Sequence, residues 1–513
     1  MMSSKKLEFS EFKKVLTPEA IITSVPDLYF STRNTRTLVV EPESASWIIL
    51  QAASRGFLLR SKILRPGTNE RSWKSLAEIY ELDQSFNQNE IDWWLYSLFL
   101  RNMITLNGQT YYQSSNLWAV QQYPHYFNIH IAESCNLACR YCRCDHEAND
   151  RELMSVETVK KIIRRVLEEI PREKVIIGFH GGEPLTNIDC LVAGAKYARE
   201  LASALKKKLT LSLQTNGVLL TRYSELLKEL KIEVGLSLDG PEAIHNRQRV
   251  FASGRGSFGE VIEGLRRARK LGLNPGLLAV ISDPQNYVEV AKFFIENLDS
   301  RSFRLNFLCY EGRAKKGFNF EVDRAELFVE HWLKLVDLAI DYHRETGYWL
   351  SVDDLNLFIA HLADKSRPQM CYRAPCGAGN SILGFGYDGQ IYPCEELVGK
   401  DEFCLGTIDD PKPLPQLLVE SEINQQIQQQ RKVENIKKCR TCPWRRFHGS
   451  GCLNKSFEFF GDIFHEDPMC HFYRRVFEEL MWKTAENPDL INLIGYYKNY
   501  LKDPEANFLE NII

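Results

Sequence analysis

Three cysteines, Cys135, Cys139 and Cys142, stand with three and then two residues between them, directly after an apolar run at 127–131. Thiolates at this spacing wrap one loop around a 4Fe-4S cluster and leave its fourth iron without a protein ligand, whereas an electron-transfer cluster takes four thiolates. An iron with an open position is a place for chemistry. The same string could also hold zinc or be an accident of sequence, so the rest of the chain has to decide.

Three further polar strings follow apolar runs. The first is His180-Gly181-Gly182-Glu183-Pro184, where glycines let the backbone approach a ligand and Glu183 can accept hydrogen bonds from an ammonium group. The next two are Gln214-Thr215-Asn216-Gly217 and Ser237-Leu238-Asp239-Gly240, the latter followed by His245, Arg247 and Arg249. Each alone reads as readily as a turn. In order behind the cysteine loop, they resemble the radical S-adenosylmethionine (SAM) enzymes. That resemblance implies a cluster on Cys135, Cys139 and Cys142, with SAM on the open iron and cleaved to a 5′-deoxyadenosyl radical that takes hydrogen from a substrate. It implies that Tyr141 lies near the adenine and that Gly181, Gly182 and Glu183 hold the SAM amino group. Thr215, Asn216 and Ser237 match the positions that contact ribose and carboxylate, with Arg249 as a charge-assisted partner for the latter.

A second constellation comprises Cys371, Cys376, Cys394, Cys439, Cys442, Cys452 and Cys470. It resembles the SPASM extension, which carries up to two auxiliary 4Fe-4S clusters and is common among enzymes that modify peptides and proteins. By that pattern Cys371, Cys376, Cys394 and Cys452 hold one cluster, and Cys439, Cys442, His448 and Cys470 a second. His448 stands where the family carries a thiolate, and imidazole in that place raises the potential of a cluster. A zinc site on Cys439, Cys442, His448 and Cys452 is the alternative. Glu395 matches the position of an aspartate proposed as the proton-accepting base in anaerobic sulfatase-maturating enzymes; the other reading is an ordinary surface carboxylate. Cys144, Cys190, Cys309 and Cys404 match no cluster position and read as buried or free thiols.

These groups need elements to hold them. Apolar runs at 127–131, 175–179, 209–213, 232–238, 276–281 and 303–308 alternate with helical patterns, which predicts βα units and a parallel sheet. Between the first two, Ser155 caps a helix with Val156, Val159, Ile163, Val166 and Ile170 on its apolar face, ended by Pro171. Six units predict an α/β fold, a partial (β/α)6 TIM-like barrel over 125–320 with ligands at the carboxyl ends of its strands. Before it, 20–118 reads as a winged-helix-like module: a strand at 37–40, helices at 45–53, 72–80 and 89–102, and a hairpin turning at Asn107-Gly108. It resembles the peptide-recognition element of peptide maturases, whose leader peptide adds to a sheet edge, here 37–40. After the barrel come a helical linker at 321–370, the cysteine-rich region at 371–475 and a helical tail at 476–513.

With 513 residues and 14 cysteines but no apolar signal segment, the chain reads as cytoplasmic, with metal ligands rather than a disulfide framework. A net charge of −3 argues against a nucleic-acid binder, and no run is long enough to span a membrane. The combined expectation is a peptide maturase acting on a ribosomally made precursor by an oxidative crosslink or related change, with an external reductant such as flavodoxin or ferredoxin. A folded-protein maturase of the sulfatase or quinone-cofactor type and a non-catalytic metal-binding scaffold are the rivals.

Overall fold

The computed structural model describes residues 7–64, 73–111, 123–143, 152–317, 324–363, 370–487 and 490. The amino-terminal strands are β1 (Ile21–Ser24), β2 (Tyr29–Arg33), β3 (Arg36–Glu41), β4 (Ser46–Leu50), β5 (Trp73–Ser75) and β6 (Ile104–Leu106). They form two antiparallel sheets, ordered β5-β1-β6 and β2-β3-β4. Helices Leu76–Glu81 and Gln88–Leu100 begin at Ser75 and Asn87, whose side chains cap them by accepting from the backbone three residues on.

Several expectations for this module need correction. The helix expected at 45–53 is instead strand β4 followed by the helix Ala52–Arg60. Trp47 and Ile49 enter the main core and Ile48 and Leu50 the module's own, so burial on both faces erases the period that separates strand from helix. Residues 37–40 offer no free edge, because β3 pairs with β2 on one side and β4 on the other. Asn107 and Gly108 turn with positive φ, of 51° and 80°, and Leu106 bridges Gln109 antiparallel across them as a hairpin expects, while β6 also pairs with β1 and the expected second arm from 112 on lies outside the described residues.

The barrel strands are β7 (Tyr126–Ala132), β8 (Lys174–Gly181), β9 (Lys208–Thr215), β10 (Glu233–Ser237), β11 (Gly276–Ile281) and β12 (Ser302–Phe307). They run parallel in sequence order, as the alternation predicts. Phe127, Ile129, Phe179, Leu213 and Leu236 face the surrounding helices and build the main core, which leaves the alternate positions for the lumen. Ser155 caps the helix Val156–Glu169 as expected; Val159, Ile163 and Val166 are buried, but Val156 in its first turn is exposed.

The sheet does not stop at six strands. The linker contributes β13 (Ser351–Val352) beside β12, while β14 (Ile382–Phe385) pairs parallel with β7 and continues into β15 (Gln390–Tyr392) and β16 (Gly406–Thr407). The described part of the expected linker, 324–363, therefore packs with the barrel, adding β13 to its sheet and Leu355, Phe358 and Ile359 to the main core. The helix Cys470–Glu486 runs through the expected boundary at 475, so no separate tail starts there; most of 476–513 beyond it lies outside the described residues. Among the described residues no helix is long and apolar enough to cross a membrane.

Candidate active site

The exit of β7 and that of β8 press backbone on backbone. A Cβ on Gly181 would lie 2.0 Å from the Ala132 carbonyl oxygen, and one on Gly182 would lie 2.4 Å from both the Glu133 and Ser134 oxygens. Hydrogen bonds from Gly182 N to Ala132 O at 2.6 Å and from Glu183 N to Ser134 O at 2.9 Å fasten the root of the cysteine loop. Farther along, Ala138 N and Arg140 N donate to the Val250 and Gln248 carbonyls, and Arg313 N donates to Cys142 O. Cys135, Cys139 and Cys142 share one apolar cluster with Leu137, Tyr141 and Ala314.

Glu183 is wholly buried. Its carboxylate accepts from Thr215 Oγ1 at 2.8 Å, Asn216 N at 2.7 Å and Leu185 N at 3.1 Å, so the ends of β8 and β9 are tied at one point. Burial nevertheless pushes its carboxyl up to about 7. Asn216 Nδ2 donates to Asn136 Oδ1 at 2.7 Å inside the cysteine loop. Ser237, at the end of β10, accepts from Gln214 Nε2 at 2.9 Å.

Tyr141 and Arg249 meet through a residue the sequence reading took for a turn. The Tyr141 hydroxyl donates to Asp239 Oδ2 at 2.5 Å, Arg249 Nε lies 3.1 Å from Asp239 Oδ1, and the guanidinium sits 5.4 Å from the Tyr141 ring centroid. Asp239 is buried and also accepts from Val280 N. Arg249 thus enters the site already paired, with its orientation set from β10. The only signal for Asp239 in the sequence was its place just past a strand.

A model of the radical SAM superfamily matches residues 129–294. A serine-type anaerobic sulfatase-maturating enzyme of Bacteroides thetaiotaomicron is 33% identical over 309 residues, 54% of this chain and 70% of that enzyme. The chain belongs to the radical SAM superfamily. A cysteine-type anaerobic sulfatase-maturating enzyme of Clostridium novyi is 24% identical over 380 residues, which cover 69% of this chain and 94% of the relative. Among solved structures, anSMEcpe with bound AdoMet matches with a TM-score of 0.62 and 25% identity, over 73% of this chain and 100% of that one. Streptococcus suis SuiB, at 17% identity and a TM-score of 0.51 over 87% of this chain and 99% of its own, shares the fold.

This radical SAM enzyme uses SAM and iron-sulfur chemistry. Among the described residues no three His, Cys, Asp or Glu side chains converge on one metal ion. A cluster asks for something else, thiolates on separate irons around a shared space. Burial pushes the Cys135 thiol up to about 12 and that of Cys139 up to about 11, a cost that bound iron reverses.

The cysteine-rich region gathers its thiols in two groups. Cys371 and Cys394 are electrostatic neighbours, with Cys376 beside Cys371. Cys371 is exposed at the surface, yet the protein packed around its sulfur pushes its thiol up to about 12. Cys452 has Lys455, Asp467 and Glu396 around it, and shares Glu396 with Cys371. Cys439, Cys442 and Cys470 form the second group, each acting on the Cys470 thiol. His448 stacks on Tyr473, ring centroids 3.9 Å apart, one turn along the helix from Cys470. Among the described residues its Nε2, which is buried, has no hydrogen-bond partner, and burial holds the imidazole near a pKa of about 4. A neutral buried imidazole with an unused nitrogen fits a ligand to iron. Cys144 lies outside the described residues; Cys190 is buried, and Cys309 and Cys404 are partly so, all three as free thiols.

Glu395 lies at the barrel rather than on the outer surface. Burial and the neighbouring Glu396 push its carboxyl up to about 7, while Arg143 on the cysteine-loop side and Arg304 on β12 act against this. Glu395 also raises the pKa of Tyr126 on β7 through its charge. Glu396 is ion-paired with Arg143. Burial opposes its charge, but Arg143, Lys455 and Lys400 hold its carboxyl below the ordinary range. Two adjacent carboxyl groups are thus set apart, one charged and one able to take a proton near neutrality.

Proposed function

We propose that this chain is a maturase that oxidises a side chain in a peptide segment of a ribosomally made precursor, giving a crosslink or a related oxidised product. With cofactors bound, reductive cleavage of SAM at the cluster on Cys135, Cys139 and Cys142 supplies a 5′-deoxyadenosyl radical that removes a hydrogen atom from substrate. Glu183 and the Gly181-Gly182 backbone hold the SAM ammonium, Thr215, Asn216 and Ser237 its ribose and carboxylate side, and Arg249, braced by Asp239 and Tyr141, the carboxylate. Glu395 takes the proton lost from the oxidised side chain. Cys371, Cys376, Cys394 and Cys452 hold a first auxiliary cluster of SPASM type, and Cys439, Cys442, His448 and Cys470 a second. Clusters held by these residues would supply an acceptor for the electron left on the substrate.

What supports this reading is Glu395, directly after Cys394: burial and the neighbouring Glu396 push its carboxyl up to about 7, and it shares electrostatic interactions with Arg304, Tyr126 and the Cys394 thiol. The amino-terminal module supports a peptide substrate. It is docked on the carboxyl-terminal region by Arg33 to Glu479, with contacts of 2.8 and 2.6 Å, and by Arg445 to Glu43. With β3 enclosed, a leader strand has the outer edges of these sheets as its surface. A second reading, a folded-protein substrate, is favoured by the sulfatase-maturating relatives, and a cytoplasmic setting with an external reductant suits both.

The test is anaerobic co-expression with short peptides encoded beside the gene, followed by mass spectrometry, against a Cys135→Ala, Cys139→Ala, Cys142→Ala control. Loss of hydrogen only with the intact loop supports the peptide reading. SAM cleavage without any peptide change, together with oxidation of a co-expressed sulfatase, replaces it with the folded-protein one.

A further inference from the structure

The lumen positions of the first barrel strands are polar and incompletely bonded. In register, Asn128 of β7 stands level with Gly178 of β8, and Gly178 with Ser212 of β9; one pleat higher, His130 stands level with His180. A Cβ on Gly178 would lie 2.3 Å from Asn128 Oδ1 and 3.3 Å from both Ser212 Oγ and Tyr126 Oη. On β10, a Cβ on Gly235 would lie 2.3 Å from Gln214 Oε1. The absent side chains of Gly178 and Gly235 leave room into which four polar groups lean. Tyr126, Asn128, His180, Ser212 and Gln214 line a cavity of about 580 Å3 that reaches the strand amino ends at Lys231 and Glu233.

Asn128 is 1% exposed, and among the described residues neither Oδ1 nor Nδ2 of its amide has a hydrogen-bond partner. The Nδ1 atom of His180 is likewise buried and unpartnered. Unmade hydrogen bonds at such positions oppose folding, and in native proteins they mark a place where something else binds. The set is uncharged: an amide, two hydroxyls, a second amide and an imidazole whose burial keeps it neutral. Of the charges nearby, Arg304 is paired with Asp353 and Arg143 with Glu396, while Lys231 and Glu233 stand at the amino ends of the strands and Glu395 acts on Tyr126.

We propose that the barrel lumen is a substrate side-chain subsite that takes a carboxamide, the side chain of an asparagine or glutamine, on Asn128 and His180. The proposal rests on the reading that the substrate is a peptide segment. A carboxamide returns both missing partners of Asn128 in one reciprocal pair, donor to Oδ1 and acceptor from Nδ2, and leaves a second hydrogen or lone pair for His180. A carboxylate faces Asn128 Oδ1 with no proton to offer, an ammonium group has no lone pair for Asn128 Nδ2, and an aliphatic side chain leaves the amide unpaired. The carboxamide residue so seated fixes the register of the segment against the radical formed at the strand ends.

The full-length protein, with clusters reconstituted and SAM bound, is crystallised anaerobically and soaked with N-acetyl-L-glutamine amide, and in parallel with the glutamate and leucine counterparts. The same probes are titrated calorimetrically into wild-type and Asn128→Asp protein. The expected result is the glutamine carboxamide between Asn128 and His180, at least tenfold weaker binding of the other two probes, and at least a tenfold loss of glutamine-probe affinity in Asn128→Asp. Ordered water alone in the lumen, or equal binding of all three probes, overturns the proposal, and the crystal arm decides should the variant not fold. The peptide assay above reads the maturase function separately. Peptide modification with no amide bound in the lumen keeps that function and discards the subsite; amide binding with no peptide modified keeps the subsite and discards the maturase.

Discussion

At Glu183, the residue proposed to hold the SAM ammonium, burial and hydrogen bonding act against each other. Its carboxyl is fully buried, carries three hydrogen bonds that favour the charge, and is still pushed up to about 7 by burial. An unfolded glutamate titrates near 4.3. Between that value and about 7 the unfolded chain holds less proton at this position than the folded one, so the carboxyl's contribution to stability falls as pH rises through the window. The loss amounts to roughly 4 kcal/mol at full ionisation. An ammonium ligand reverses this. SAM affinity of the cluster-loaded protein is therefore expected to rise from pH 6 to pH 8, and the melting temperature of SAM-free protein to fall over the same range. Glu183→Gln, which keeps the shape and removes the charge, is expected to weaken SAM at least tenfold and flatten both dependences, as read by equilibrium dialysis and calorimetry. A variant that keeps the slope would place the titrating group elsewhere.

At the scale of elements, the joint between the exits of β7 and β8 sets the cysteine loop. Backbone oxygens stand 2.4 Å from where a Cβ on Gly182 would be, and backbone has little freedom to retreat. Gly182→Ala is expected to lower iron on the three-cysteine loop and reduce SAM cleavage at least a hundredfold, checked by iron analysis and by 5′-deoxyadenosine release. Gly259→Ala is the control. Nothing lies within 4 Å of a Cβ there, and alanine in the helix Phe258–Lys270 adds about 0.5–1 kcal/mol of stability. Equal iron content in both variants would show that the close approach does not set the loop.

For the whole molecule, the amino-terminal module is held by charge at its rim and apolar packing beneath. Leu38, Val40, Trp47 and Ile49 belong to the barrel's core, while Arg33 meets Glu479 and lies 5.0 Å from the Trp482 ring. Glu43 receives Arg445, whose guanidinium also donates to the Cys442 carbonyl, so the module touches the second auxiliary thiol group through one side chain. These pairs are half-exposed and each contributes about 1 kcal/mol. The Arg33→Ala, Glu43→Ala double variant is expected to melt earlier, by calorimetry, while the module stays docked on its apolar face. Detachment of the module, seen by small-angle scattering, would show that charge rather than apolar burial holds it.

The sequence by itself determined what is local. The Cys135–Cys142 spacing, the Gly181-Gly182-Glu183 string and the order of six parallel strands depend on neighbours in the chain, and the structure places each where periodicity expects it. Only the tertiary structure decided what depends on closure. Asp239 meets Tyr141 across 98 residues because the barrel brings the end of β10 beside the cysteine loop. Strand β4 reads as a helix because burial on both faces removes its alternation, and 37–40 reads as an edge because the sequence gives no sign of β4 beside it. The unpaired amide of Asn128 exists only once Gly178 and Ser212 stand level with it, since a polar residue becomes buried and unsatisfied only where strands from different parts of the chain enclose it.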